Sequence, residues 1–82
     1  MKLMWQLEYQ THTDWPYTYE LRDADEAWSP NLACISQYKS GKQWKYDLIV
    51  WEVPSSRPQR RVTFTSLKKA QAVGLAIVRL TN

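Results

Sequence analysis

Apolar and polar residues alternate along the first stretch of the chain, with Leu3, Trp5, Leu7 and Tyr9 interleaved among Lys2, Met4, Gln6, Glu8 and Gln10. A period of two predicts a strand with one buried face. Thr11–Pro16 interrupts it with turn-favouring Thr, Asp and Pro. Alternation resumes with Tyr17, Tyr19 and Leu21 set against Thr18, Glu20 and Arg22, which predicts a second strand. Asp23–Asn31 then reads as a loop, because it carries three acids and a Ser-Pro-Asn sequence that disfavours helix before Pro30.

The longest patterned stretch is Leu32–Val53, two β-rich segments around Ser40-Gly41. A glycine supplies the positive φ of a tight hairpin turn. A turn on Ser40-Gly41 predicts Lys39 opposite Lys42, Gln37 opposite Trp44, Ile35 opposite Tyr46 and Ala33 opposite Leu48. One face then holds Ala33, Ile35, Trp44, Tyr46, Leu48 and Val50, enough to floor a core. The other face runs from polar Lys45 and Asp47 to apolar Ile49, Trp51 and Val53, beside Cys34 and Leu32. Pro54–Arg61 is polar and proline-rich and reads as an exposed basic loop, leaving Val62–Phe64 for a short last strand.

From Ser66 the period changes. Leu67, Ala70, Val73, Gly74, Ile77 and Val78 fall on one helical face, and Thr65 or Ser66 is a natural cap, so a helix is expected over residues 66–80. Gly74 within that stripe costs about 1 kcal/mol relative to Ala. Close approach of the helix backbone to a bulky sheet residue, such as a tryptophan, would compensate. These elements predict one α+β domain over residues 1–82, an antiparallel sheet of four to five strands with one C-terminal helix packed on one face. Leu67, Ala70, Gly74, Ile77, Val78, Ile35, Tyr46, Leu48 and Trp5 are expected in its core.

Composition sharpens this in three ways. Five Trp and five Tyr among 82 residues are large for so small a core, and aromatics also suit interfaces. A single cysteine closes no internal disulfide, and no apolar run reaches the length of a membrane span, so a cytoplasmic protein without membrane contact is expected. The net charge of +3 is unevenly divided. Residues 1–30 hold two basic residues against six acidic ones, and residues 31–82 hold nine against two.

Catalytic signatures are missing. His12 has no second histidine or cysteine beside it for a metal site, Cys34 lies in a strand, and two glycines cannot build a phosphate loop. No enzyme activity, cofactor or metal is expected. Two surfaces remain. One is the apolar outer face, where Ile49, Trp51 and Val53 would contact a larger protein or ribonucleoprotein, rimmed by Lys42, Lys45, Arg57 and Arg60. The same face could instead pair two copies of the chain. The other surface is the basic set Arg57, Arg60, Arg61, Lys68 and Lys69, with Lys39, Lys42 and Lys45 at the hairpin, which would suit DNA or RNA.

The strand containing Trp44 and Tyr46, a polar loop, and then VTFTSLKKAQAVGLA resemble a layout of small phage-encoded proteins. In those a sheet strand ends in F-x-S-L and runs into a helix with A-x-x-A or A-x-A. Thr63-Phe64-Thr65-Ser66-Leu67, with Ala70 and Ala72, carry the resemblance. It implies a non-enzymatic inhibitor of the anti-CRISPR or anti-restriction type, acting by docking on a host complex, with no catalytic residue transferred.

Overall fold

A computed structural model of the chain describes residues 2–9, 17–26, 31–52 and 57–81, with side chains given for all of these except Tyr9, Glu52, residues 57–60 and Thr81. Five strands appear in chain order: β1 (Leu3–Tyr9), β2 (Tyr17–Asp23), β3 (Ala33–Ser40), β4 (Gln43–Glu52) and β5 (Arg57–Phe64). Each pairs antiparallel with the next, so sheet order equals chain order. A single helix, α1 (Leu67–Thr81), follows and packs against the sheet, making the α+β fold expected from the sequence.

The register shows which residues share a face. Trp5 pairs with Leu21, Leu21 with Ala33, and Ala33 with Val50. The neighbouring row runs Leu7, Tyr19, Ile35, Leu48, Val62. Leu21, Ala33, Ile35, Leu48 and Val50 are buried under α1, which contributes Ala70, Gly74 and Val78. Leu67, Ile77, Tyr46 and Trp5, expected inside, are half-buried and pack around the margin of this core.

The hairpin turn differs from expectation. Ser40 pairs with Gln43, and Ala33 with Val50, so Gly41 and Lys42 form the loop. Gly41 has φ +62°, and a glycine with positive φ at the first loop position is what a type II′ turn demands. The whole ladder therefore slides by two residues, which leaves the faces unchanged because side chains alternate with period two. The second correction is β5. Arg57–Arg61, expected as loop, is strand. It lies at the sheet edge, where Pro58 need not donate to a neighbour, and the register slips between Val50 and Trp51. The expected loop residues Thr11–Pro16, 27–30 and Pro54–Ser56, and Val53 at the end of the expected hairpin, fall outside the described residues.

Gly74 has the neighbour its position calls for. A Cβ placed there would lie 2.9 Å from both Leu48 Cδ1 and Trp5 Cζ2. The Trp5 indole donates from Nε1 to the Gln71 carbonyl at 3.2 Å. β1 and β4 are three strands apart, about 14 Å in a flat sheet. The long Trp5 indole reaches across part of that separation to meet α1. Ser66 caps the helix, its Oγ accepting from Lys69 N at 3.4 Å.

Candidate functional site

The two sheet faces end differently near the β3–β4 turn. On the helix side, α1 starts after Phe64, whose cross-strand partner is Tyr46, and runs back over Leu48 toward Trp5. The rows nearest the turn therefore keep an exposed margin. Tyr17, Gln37 and Tyr46 are side by side in one row, and Lys39 and Trp44 form the next. Trp44 is 40% exposed, although it lies on the apolar hairpin face expected to floor the core. The Lys39 ammonium sits 5.8 Å from its ring centroid, within cation–π reach. The Tyr19 hydroxyl donates to Gln37 Oε1 at 3.2 Å, and Tyr17, Tyr19 and Tyr46 are half-buried. The aromatic surfaces are thus held in place by the sheet.

Charge gathers at the same end. Lys39 lies just before the turn and Lys42 within it, Lys45 lies just behind on the opposite face, and Lys68 and Lys69 project from the first turn of α1. These first-turn lysines oppose the helix dipole, and α1 has no acidic residue there to offset them. No Asp or Glu lies in the Tyr17–Gln37–Tyr46 row, the Lys39–Trp44 pair or the turn. The described acids Asp23, Asp25 and Glu26 lie at the far end of the sheet. There Asp23 accepts hydrogen bonds from the backbone N–H groups of Lys2 and Asp25, at 3.0 Å each, which hold its carboxyl below the usual carboxylate range. Folding places Asp23, Asp25 and Glu26 at one end of the sheet and the lysines toward the other, with Glu8 on the lysine side and Arg57 and Arg60 on the acidic side.

The basic set named from the sequence is consequently split. Arg57 pairs with Glu52 and Arg60 with Val50, at the end of β4 remote from the turn. Arg61 is exposed on the face away from α1, opposite Ile49. Lys68 and Lys69 belong with Lys39 and Lys42 instead. The rim expected around Trp51 divides in the same way. Lys45 is six strand residues from Trp51, about 20 Å, and Lys42 about 30 Å.

The helix-free face is more polar than expected. Trp51 and Ile49 are half-buried, and Trp51 N donates to the Leu32 carbonyl at 3.2 Å. Val53 lies outside the described residues, as do the side chains of Arg57 and Arg60. Beside Ile49, Asp47 is buried and accepts from Thr63 Oγ1 at 2.7 Å and the Tyr38 hydroxyl at 3.3 Å. Burial, and then the Asp47 charge, push the Tyr38 phenol above its ordinary value. Cys34 is buried between Glu20 and Ile49, and burial followed by Glu20 pushes its thiol up, against the opposing charge of Arg61. Glu20 itself pairs with Arg22 at 2.6 Å and accepts from Asn31 Nδ2 at 3.3 Å.

Among the described residues no three His, Cys, Asp or Glu side chains are placed to share a metal ion, and His12 lies outside them. No described helix is long and apolar enough to cross a membrane. Comparison with protein-family models, curated proteins and solved structures finds no match for this chain.

Proposed function

We propose that this is a non-enzymatic nucleic-acid-binding protein whose working surface is the turn end of the sheet. The observation carrying the reading is the half-exposed Trp44 under Lys39, with Tyr46 next along the strand, Tyr17 in the same row as Tyr46, and exposed Lys42, Lys68 and Lys69 at the same end of the sheet. Lysines at the ends of flexible stems neutralise phosphates without demanding one geometry. Flat aromatic groups exposed between them stack on unpaired bases, at about 1–3 kcal/mol per base, whatever the sequence. A strand of this kind, free or displayed by a ribonucleoprotein, meets both requirements at once. The second requirement favours nucleic acid over an acidic protein surface, which would use the lysines and leave Trp44 idle. An inhibitor of a nucleic-acid-guided host complex, the role implied by the phage-protein resemblance, could act through this same contact.

The test is fluorescence anisotropy with labelled single-stranded DNA and RNA of mixed sequence, from low to moderate salt. Affinity is expected to fall steeply with salt. Trp44→Ala should weaken binding about tenfold or more, since stacking on one base is lost. Joint reversal of Lys42, Lys68 and Lys69 to Glu should abolish it. Reversal of Arg57 and Arg60, at the far end, should leave it nearly intact. Absence of binding at low salt, or loss caused only by the arginines, overturns the proposal.

A further inference from the structure

The two edges of the sheet are built differently. β5 has Pro58, three arginines and a register slip, features that discourage a further strand from pairing. β1 has none of these, and no described residue pairs with its outer side. Its hydrogen-bonding parity follows from one contact, the Ala24 N–H donating to the Lys2 carbonyl at 2.6 Å. In an antiparallel ladder the residues that bond a neighbour alternate with those that face away. Lys2, Met4, Gln6 and Glu8 therefore bond toward β2, and Leu3, Trp5 and Leu7 turn their N–H and C=O groups to the open edge. Met4 is 44% exposed and Leu7 42%, one on each face of this strand.

We propose that β1 pairs antiparallel with β1 of a second copy of this chain, about a twofold axis at Trp5, joining the two sheets edge to edge. Three registers satisfy the backbone parity near the strand centre, and charge selects among them. With the axis at Trp5, Leu3 meets the partner's Leu7, Met4 the partner's Gln6, and Lys2 the partner's Glu8. The last pair occurs twice by symmetry, between side chains that are exposed in the single chain. Moving the axis to Met4 or Gln6 leaves both charges without an opposite. The outward-facing groups of Leu3, Trp5 and Leu7 then form about six hydrogen bonds, two for each directly bonded pair. Pairing β1 with β5 of another copy would give an open filament, and the proline and slip in β5 stand against it. The association uses the β1 edge, two strands from Lys39 on β3 and three from Trp44 on β4.

Sedimentation equilibrium across a concentration series tests this. The parent chain is expected to move from the mass of one chain to that of two and to stop there. Glu8→Lys sets two like-charged pairs across the axis and should raise the dissociation constant roughly tenfold. Lys2→Glu combined with Glu8→Lys restores the pairs with signs exchanged and should return the constant to within about threefold of the parent. Circular dichroism checks that each variant keeps its sheet, and exposed positions should tolerate both changes. A mass of one chain at every concentration overturns the proposal. So does a mass that climbs past two, or a double variant no tighter than Glu8→Lys alone.

Discussion

Gly74→Ala tests the contact on which the helix sits. Taken alone, the change should stabilise an interior helical position by about 1 kcal/mol. Here the new methyl group would lie 2.9 Å from Leu48 Cδ1 and 2.9 Å and 3.2 Å from two indole carbons of Trp5. The leucine methyl can turn aside. The indole cannot do so freely, because its Nε1 is hydrogen-bonded to the Gln71 carbonyl nearly one turn before Gly74. Forcing a methyl into a packed site costs about 1–3 kcal/mol, so a net loss of about 1 kcal/mol is expected. That is a fall of about 4–8 °C in the thermal midpoint of a domain this small. The same substitution should be made in a Trp5→Phe background, where the outer indole carbons are absent. There the helix preference should prevail, and the double-mutant cycle should show a coupling of about 1 kcal/mol. Thermal and urea unfolding followed by circular dichroism give the four stabilities. If Gly74→Ala stabilises the parent by its full helix preference, or has the same effect in both backgrounds, Trp5 does not limit the approach of α1.

Other outcomes follow from burial and charge. Val78→Asp should leave the chain unfolded by circular dichroism, because Val78 is 1% exposed and an unpaired buried carboxylate costs about as much as the few kcal/mol a small domain has. Ile77→Asp, on the half-buried side of the helix, should fold with a lowered midpoint. Cys34 should react with a disulfide reagent at pH 8 far more slowly than an unfolded control, since its raised thiol value and burial both reduce available thiolate. Asp23 has a lowered folded value, so its contribution to stability is complete above the ordinary carboxylate range and is lost as pH falls through the folded value. Asp23→Asn should therefore flatten the acid limb of a stability–pH curve below about pH 4 and should cost stability at neutral pH.

The first two strands, the hairpin and the helix were legible because each shows its own period over six residues or more. Even the partner of Gly74 could be anticipated in kind, since a glycine in an apolar helical stripe implies a close neighbour. The hairpin register was not legible. Placing Gly41 first or second in the loop gives the same two faces and suits a positive φ either way, and only the pairing of Ser40 with Gln43 separates them. β5 was masked by Pro58 and its arginines, residues that an edge position tolerates and a central strand would not. The working surface was hidden for a related reason. Periodicity assigns Trp44 to the helix side of the sheet but does not say how far the helix extends over that side. Grouping Lys68 with Arg57 followed nearness in sequence, whereas an antiparallel strand carries Arg57 to one end of the sheet and delivers Lys68 to the other.

The matching of sheet order to chain order also has a kinetic side. In a meander every strand finds its partner in the segment made next, so loop closures are short and pairing can spread as a zipper from the β3–β4 turn. The element that shields the apolar floor comes after all five strands. Ile35, Leu48 and Val50 thus have their strand neighbours earlier in the chain than their cover. Docking of α1 is therefore the step that closes the core, and a sheet paired without it would leave these side chains open to misassembly.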